Sequence, residues 1–539
     1  MSLGRHLSRR AVRIACHAVV ATPFVVAGGV ELAHGWVPQG DDGAIVFRSW
    51  LELSSHPPLV GQLNHVTSSH AVFDPGPMLF WLLTIPVHLD HLHGGLWGAT
   101  LLCVVGVCLA VEAAWSAQGW PAAVAVATIV VVVVAELPAL ALDPTWNAHM
   151  GTVWFVSTAA IAWAVAVGRL QWWPVLVAAA SFATQCHLMF AIGSLSCVIV
   201  APIVGMTRRR RISWWLPTGI LIGVVCWTAP LVQQFTSRPG NLTLLLQSQG
   251  HTGPATGIAF GLRALAASVG PHPIWWGRGQ VSMINIFAMI ADANSHPAWM
   301  GVAVLVGLGL CAVIAWVTTR RDLAALAIVV LVISLAWVWT LASLPTSQLL
   351  TFSYIDPGSW PVGMAVLLIA GYSLGELAIA ADRRLRQRRT GPDGRHQFRV
   401  PGWMAAVPVA VALSVITADS ALVVHASAAN TGPTEGWPAM SQVRVVTERI
   451  ERAVPPGRLV VQAPPGLTES YAVIAGVDWL LYSDGWRPES SPGYPTLIGP
   501  EIAVVQPAPL VTVTVDYNGG PAKVSISRRG TTKLPTPAG

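Results

Sequence analysis

The stretch WPVLVAAASFATQCHLMFAIGSLSCVIVAPIVGM (173–206) decides the fold. It is apolar almost throughout, and it lies between Arg169 and the cluster Arg208 to Arg211. Positive residues of this kind mark cytoplasmic loops. A single span would put the two clusters on opposite sides of a membrane. Two short helices, 173–185 and 187–206, meeting at Gln185-Cys186-His187, bring the chain back to the side it left. His187 then sits at the outer tip, buried in protein rather than lipid. Broken helices of this kind are tolerated where they line a cavity. One tilted helix with a buried histidine is the competing reading.

The rest of the chain has the same character. Only 10% of its residues are charged, against about a quarter in soluble domains. With Arg5 to Arg13, Arg169, Arg208 to Arg211, Arg320, Arg321 and Arg383 to Arg389 inside, about eleven spans of suitable length fit. They are 12–30, 96–116, 119–140, 151–168, 173–185, 187–206, 213–232, 299–317, 323–342, 360–378 and 402–424. The fold class expected is an all-α polytopic protein of the plasma membrane, with a cytoplasmic N-terminus. Arg9-Arg10 before an apolar run resembles a secretory or twin-arginine signal, but no small-residue cleavage site precedes Glu31, so the segment reads as a retained first span. The net charge of +6 serves topology and implies no nucleic acid. The seven cysteines all lie in or beside apolar runs, which excludes a disulfide framework or a cysteine zinc site.

The chain divides into a membrane body, 1–424, and an extracytoplasmic unit, 425–539. In the second part, 439–453 reads as an amphipathic helix ended by Pro455-Pro456 and 458–462 as a strand. A second helix over 468–482 and strands over 510–516 and 522–528 complete a small α/β unit. Four external segments follow from the topology: 31–95, 141–150, 233–298 and 343–359. Long loops are usually functional. Residues 44–53 and 255–268 are predicted to lie as helices on the membrane surface, and 76–89 as a re-entrant or interfacial helix.

The first external segment opens with GDDGAIVFRSW (40–50). Asp41 and Asp42 suit a general base that takes a proton from an acceptor hydroxyl. A second carboxylate nearby tunes the first or helps to hold a divalent cation of the Ca, Mg or Mn kind. The same pair would also serve as a helix cap. His56, His65, His70 and Asp74 add proton carriers or ligands, at spacings that match no standard zinc pattern. No cofactor is required by any motif. Pro75-Gly76-Pro77 fixes the start of the next helix. The second segment holds Asp143, Trp146, Asn147 and His149, polar groups that are costly beside a membrane. The third holds Gln233, Gln234, Arg238 and Asn241, then Arg263 and Arg278. Arginine suits a lipid-linked phosphate, which it binds bidentately, and it also snorkels to headgroups.

In order, these pieces resemble the type-C (GT-C) superfamily of membrane glycosyltransferases, and within it a group of actinobacterial membrane proteins. The resemblance rests on GDDGAIV (40–46), HPPLVG (56–61), DPGPMLFWLL (74–83), DPTWN (143–147), TQCHLMF (184–190), APLVQQF (229–235) and PGNL (239–242), and spans roughly residues 10–425. It implies a polyprenyl-phosphate sugar donor and an envelope glycan or glycolipid acceptor, met at the external face. The acid of the first loop, Asp41 or Asp42, would be the base, Asp143 the second-loop acid, and Gln185 and His187 the helix tip facing the same cavity. The sugar implied is of the arabinofuranose or mannose class. The chain departs from the group at Gln62-Leu63-Asn64-His65, where a Tyr-Ser-Arg-like stretch is usual, and at Asp74, where a histidine precedes Pro-Gly-Pro. The rival readings are a flippase or transporter of lipid-linked sugars and a non-catalytic scaffold with a glycan-binding C-terminal unit. A transporter predicts inverted repeats and mid-membrane charge, and neither is visible.

Overall fold

The computed structural model describes residues 2–66, 71–207, 214–248, 253–270, 273–275, 287, 290–292, 294–346, 349, 358–389, 407–428, 437–464, 470–490 and 511–528. Helix α1 (Ser2–Ala33) leads into α2 (Gly40–Leu51), a short hairpin of β1 (Leu63–Val66) and β2 (Ala71–Phe73), and α3 (Met78–Leu89). The bundle continues with α4 (Gly94–Gln118), α5 (Trp120–Glu136), the single turn α6 (Ala139–Leu142) and α7 (Asn147–Ala166). Gly119, at φ +76°, breaks α4 from α5 in a backbone conformation that glycine adopts without strain.

The decisive stretch is two helices. Helix α8 (Trp173–Cys186) ends at His187, whose backbone is extended, and α9 (Ala191–Met206) follows after one 3-10 turn. The indole of Trp173, at the start of α8, donates to the Val198 carbonyl in α9 at 3.1 Å, so the two run side by side as a hairpin. Then come α10 (Trp215–Cys226), α11 (Thr228–Thr236), α12 (Asn241–Ser248), α13 (Ile258–Val269), α14 (Ala298–Val317), α15 (Arg321–Ala342), α16 (Ser359–Arg389) and α17 (Val407–Ala428).

Among the described residues, six helices are long and apolar enough to cross a membrane. A seventh span results if α10 and α11, bent by 48°, form one. Shorter apolar helices, Trp120–Glu136 and Ser359–Leu374, lie at two more of the predicted spans, and residues 402–406 of the last predicted span lie outside the described residues. Helix α7 is the centre: 89% of its apolar window is buried, against 22% for α14, which lies at the rim. The two helices predicted for the membrane surface are covered by other parts of the protein. Both α2 and α13 are mostly buried, because each packs a glycine face against a neighbour's backbone. A Cβ on Gly261 of α13, for example, would meet the Val338 backbone of α15.

The C-terminal unit holds α18 (Trp437–Ala453), β3 (Arg458–Gln462), α19 (Tyr471–Ser483), β4 (Arg487–Ser490), β5 (Val511–Asp516) and β6 (Lys523–Arg528). Its sheet has the order β4-β3-β5-β6, with β3 parallel to both neighbours and β5 antiparallel to β6. Helix α19 is apolar around nearly its whole circumference, a pattern that belongs to a helix covered on all sides. One face lies on α18 and another crosses α2. A Cβ on Gly43 would stand 2.6 Å from the Ala475 backbone, and one on Gly476 would meet the Pro38 carbonyl, so only glycines permit this crossing. Trp479 and Tyr482 flank Phe47 at ring distances of 5.9 and 4.7 Å. Burying an aromatic side chain of this size contributes about 2–3 kcal/mol. The Trp479 indole also donates to the His91 carbonyl at 3.1 Å. The C-terminal unit is therefore fastened onto the first interhelical segment by aromatic packing and close backbone contact.

Candidate active site

Helix α2 begins after Gln39, which holds the N-cap position, so neither aspartate is the cap. Asp41 and Asp42 lie in the first turn, where the helix dipole favours negative charge. The two differ in surroundings. Asp42 is only 7% exposed. Asp41 is half-buried, and its carboxylate collects three donors from three separate parts of the chain. Gln62 Nε2 donates to Oδ1 at 3.0 Å, the Tyr471 hydroxyl to Oδ1 at 2.8 Å, and Trp146 Nε1 to Oδ2 at 2.9 Å.

Each donor has its own support. Arg48, fully buried one side of α2, donates to the carbonyls of Val60 and Gly61 and lies over the Phe80 ring at 4.7 Å. That clamp fixes the Pro-Leu-Val-Gly turn and so sets where Gln62 stands. Trp146 is backed edge-on by His149 at 4.5 Å, and His149 Nδ1 bonds the Asp143 carbonyl at 2.9 Å. Asp143 itself is 42% exposed in its side chain, with its carboxylate 3.7 Å from the same ring nitrogen.

Asp74 forms a second centre beside the first. Its amide donates to the Gln62 carbonyl at 2.8 Å, and its carbonyl accepts the Gly61 amide at 2.9 Å, which extends the β1–β2 ladder to both acids' supports. Its carboxyl is wholly buried and accepts from Asn64 Nδ2 at 2.8 Å, Asn147 Nδ2 at 3.0 Å and the Leu188 amide at 3.1 Å. Burial drives its pKa up to about 8, with the charge of Asp41 adding to the rise and the three donors opposing it. The positions at which the chain departs from the resembled pattern, Gln62, Asn64 and Asp74, are thus the ones that bind the two acids together.

The α8–α9 joint meets this centre. Asn147 also donates to the Cys186 carbonyl at 2.8 Å, and His187 Nδ1 accepts the Met189 amide at 3.2 Å, which requires that nitrogen to be unprotonated. Gln185 is structural in its contacts: it accepts the Met78 amide at 3.3 Å and donates to the Cys226 carbonyl at 2.8 Å. A Cβ on Gly76 would lie 2.6 Å from Gln185 Cδ, which is why Pro-Gly-Pro can approach so closely. Asn241 pairs with both backbone groups of Phe73 at 2.9 Å, like an added strand residue, and its amide is held by Gln233 Oε1 at 2.8 Å.

The structure thus gathers Asp41, Asp74, Trp146, Asn147, Gln185 and His187 at one end of the bundle, with Asn241 and Gln233 pinned to its edge. It leaves other predicted residues apart. His56 is exposed and pairs with Ser55 at 2.9 Å. Arg263 donates to the Ala291 carbonyl at 3.2 Å. Arg238 is exposed, three residues before the anchored Asn241, and makes no ion pair with a described residue. Arg278 and His70, and the side chain of His65, lie outside the described residues. Among the described residues, no three His, Cys, Asp or Glu side chains group as ligands for a divalent cation. Sequence reading missed Tyr471 and Arg48. The signal for Tyr471 was the apolar helix it begins, too hydrophobic for the rim of a small sheet. The signal for Arg48 was a charge set inside AIVFRSWL, where burial needs a partner.

Fold and site together define a multi-pass helical membrane protein with a carboxylate centre at one end of its bundle. No protein-family model matches the chain. No curated protein matches it. Among solved structures, the chain is similar to ArnT from Cupriavidus metallidurans bound to undecaprenyl phosphate, at 14% identity over 92% of each chain with a TM-score of 0.47. It is similar to the same protein in the apo state at 14% identity, over 91% of this chain and 92% of that one, with a TM-score of 0.46. It is also similar to the Archaeoglobus fulgidus oligosaccharyltransferase AglB in complex with an inhibitory peptide and a dolichol-phosphate. There the identity is 12% over 92% of this chain and 69% of that one, and the TM-score is 0.37.

Proposed function

We propose that the protein is an inverting glycosyltransferase that moves a sugar from a polyprenyl-phosphate donor to an envelope glycan or glycolipid at the outer face of the plasma membrane. Asp41 is the base. The observation that carries the reading is the Asp41 carboxylate, half-exposed at the bundle's end and held only by neutral donors. Neutral hydrogen bonds orient a carboxylate without cancelling its charge, whereas an ion pair would spend that charge on a fixed partner. Asp42 is buried beside it, and Asp74 belongs to the frame rather than to the reaction. The acceptor O–H bond breaks as its proton passes to Asp41. The oxygen forms a bond to the anomeric carbon opposite the phosphate. The carbon–phosphate oxygen bond breaks, and polyprenyl phosphate leaves with the electron pair. Arg238, exposed on the segment anchored by Asn241, is assigned to the leaving phosphate, an electrostatic role that often supplies the largest single term. The sugar class is arabinofuranose or mannose.

The test is transfer by the purified chain from farnesyl-phosphate arabinofuranose or farnesyl-phosphate mannose to a short glycoside acceptor, with the product's anomeric configuration read by NMR. Inversion is the expected result. Retention would require a covalent intermediate and would overturn the role given to Asp41.

A further inference from the structure

We propose that the C-terminal unit supplies a positioning residue of the transfer site: Tyr471, which with Gln62 occupies Oδ1 of Asp41 and leaves Oδ2 as the oxygen that takes the acceptor proton. The inference rests on the transferase reading and adds to it the atom that reacts and the part of the chain that selects it.

A carboxylate offers about four lone-pair sites, two on each oxygen. Among the described residues, Oδ1 accepts from Tyr471 at 2.8 Å and from Gln62 at 3.0 Å, which fills it. Oδ2 accepts from Trp146 alone at 2.9 Å, which leaves one site. That open site lies beside an indole, a surface on which a sugar ring can rest. The acceptor hydroxyl therefore meets Oδ2, and its proton moves there as the new glycosidic bond forms.

The tyrosine is fit for this task. Burial pushes its phenol well above the usual range, and the nearby charge of Asp41 adds to that, so the hydroxyl remains a donor. Its placement is fixed independently of the bond. It opens α19, and that helix is held on α2 by the Gly43–Ala475 and Gly476–Pro38 contacts and by the rings of Phe47 and Trp479. Ser470, the preceding residue, accepts the Tyr517 amide at 3.0 Å and so ties the helix start to the end of β5. The unit is thus a wall of the site as well as any glycan-binding surface it carries.

The experiment compares the full-length wild-type chain with Tyr471→Phe, and with Tyr482→Phe as a control on the same helix. The two farnesyl-phosphate donors above are the probes. Loss of the phenol should lower kcat about 10- to 100-fold while KM for donor stays within about twofold. Tyr482→Phe should match wild type. A second readout needs no turnover: carbodiimide-driven coupling of glycine ethyl ester to Asp41, followed by mass spectrometry. Freed Oδ1 should label several-fold faster in Tyr471→Phe. Wild-type kcat in Tyr471→Phe, or an unchanged labelling rate, would overturn the proposal. A wild-type chain that turns over neither donor would count against the transferase reading, and the labelling ratio would still decide on Tyr471.

Discussion

Two carboxylates stand at opposite ends of the helical bundle, and they are held in different ways. At the end that carries Gln118, Arg169 and Asp322, Glu112 of α4 is gripped by Arg13 and His17 of α1. Arg13 Nε lies 2.6 Å from it, and a second guanidinium nitrogen closes a bidentate pair. At the end that carries the α8–α9 joint, Asp41 receives only neutral donors among the described residues. The first arrangement satisfies charge with charge and makes a latch between helices. The second fixes an acid's geometry while leaving its charge for something else.

The contrast can be sharpened by substitutions. The largest effect after loss of the proposed base is expected at the helix crossing. Gly43→Ala drives a methyl into the Ala475 backbone, and small residues at such crossings cannot be enlarged without parting the helices. Transfer should fall about tenfold or more, and protease should cut the C-terminal unit faster. Unchanged proteolysis and activity would mean that α19 does not need this contact. A smaller effect is expected at Asp74, and its sign follows from its environment. A carboxyl raised from 3.8 to about 8 stabilises the fold fully below its unfolded value and loses that contribution as pH rises through the folded one. The melting temperature of wild type should therefore decline from about pH 4 to about pH 8, and level off above that, relative to that of Asp74→Asn. Parallel curves would show that its three donors, not burial, govern it. The smallest effect is expected at the other end. Glu112→Gln breaks a partly exposed pair, worth about 1 kcal/mol or less. It should lower stability slightly and leave kcat within about twofold.

Much of the helical body was legible in the sequence because charge and apolar length are one-dimensional signals. The break at His187 followed from Arg169 and the cluster Arg208 to Arg211, which flank one apolar run and both mark the same side, and the helices α8 and α9 meet there. The strands expected at 458–462, 510–516 and 522–528 form at Arg458–Gln462, Val511–Asp516 and Lys523–Arg528. What the sequence did not reveal was which faces meet. Helices α2 and α13 read as amphipathic and were expected on the membrane surface. Their glycines let neighbours close over them, and glycine carries no side-chain pattern to announce this. Asp41 was legible as an acid after a first span. Its partners were not, since Gln62, Trp146 and Tyr471 come from three segments that only the fold brings together. Arg238 and Arg263 illustrate the converse: both suited a phosphate by type, and neither touches a member of the carboxylate cluster.

The central claim is that the neutral-held acid does chemistry and the ion-paired acid does not. Asp41→Asn and Glu112→Gln, both purified as folded full-length protein, should be assayed side by side with the polyprenyl-phosphate sugar that wild type uses. The account predicts a loss of about 100-fold or more in kcat for Asp41→Asn, with Glu112→Gln close to wild type. Equal activity in the two variants, or a larger loss in Glu112→Gln, would contradict it.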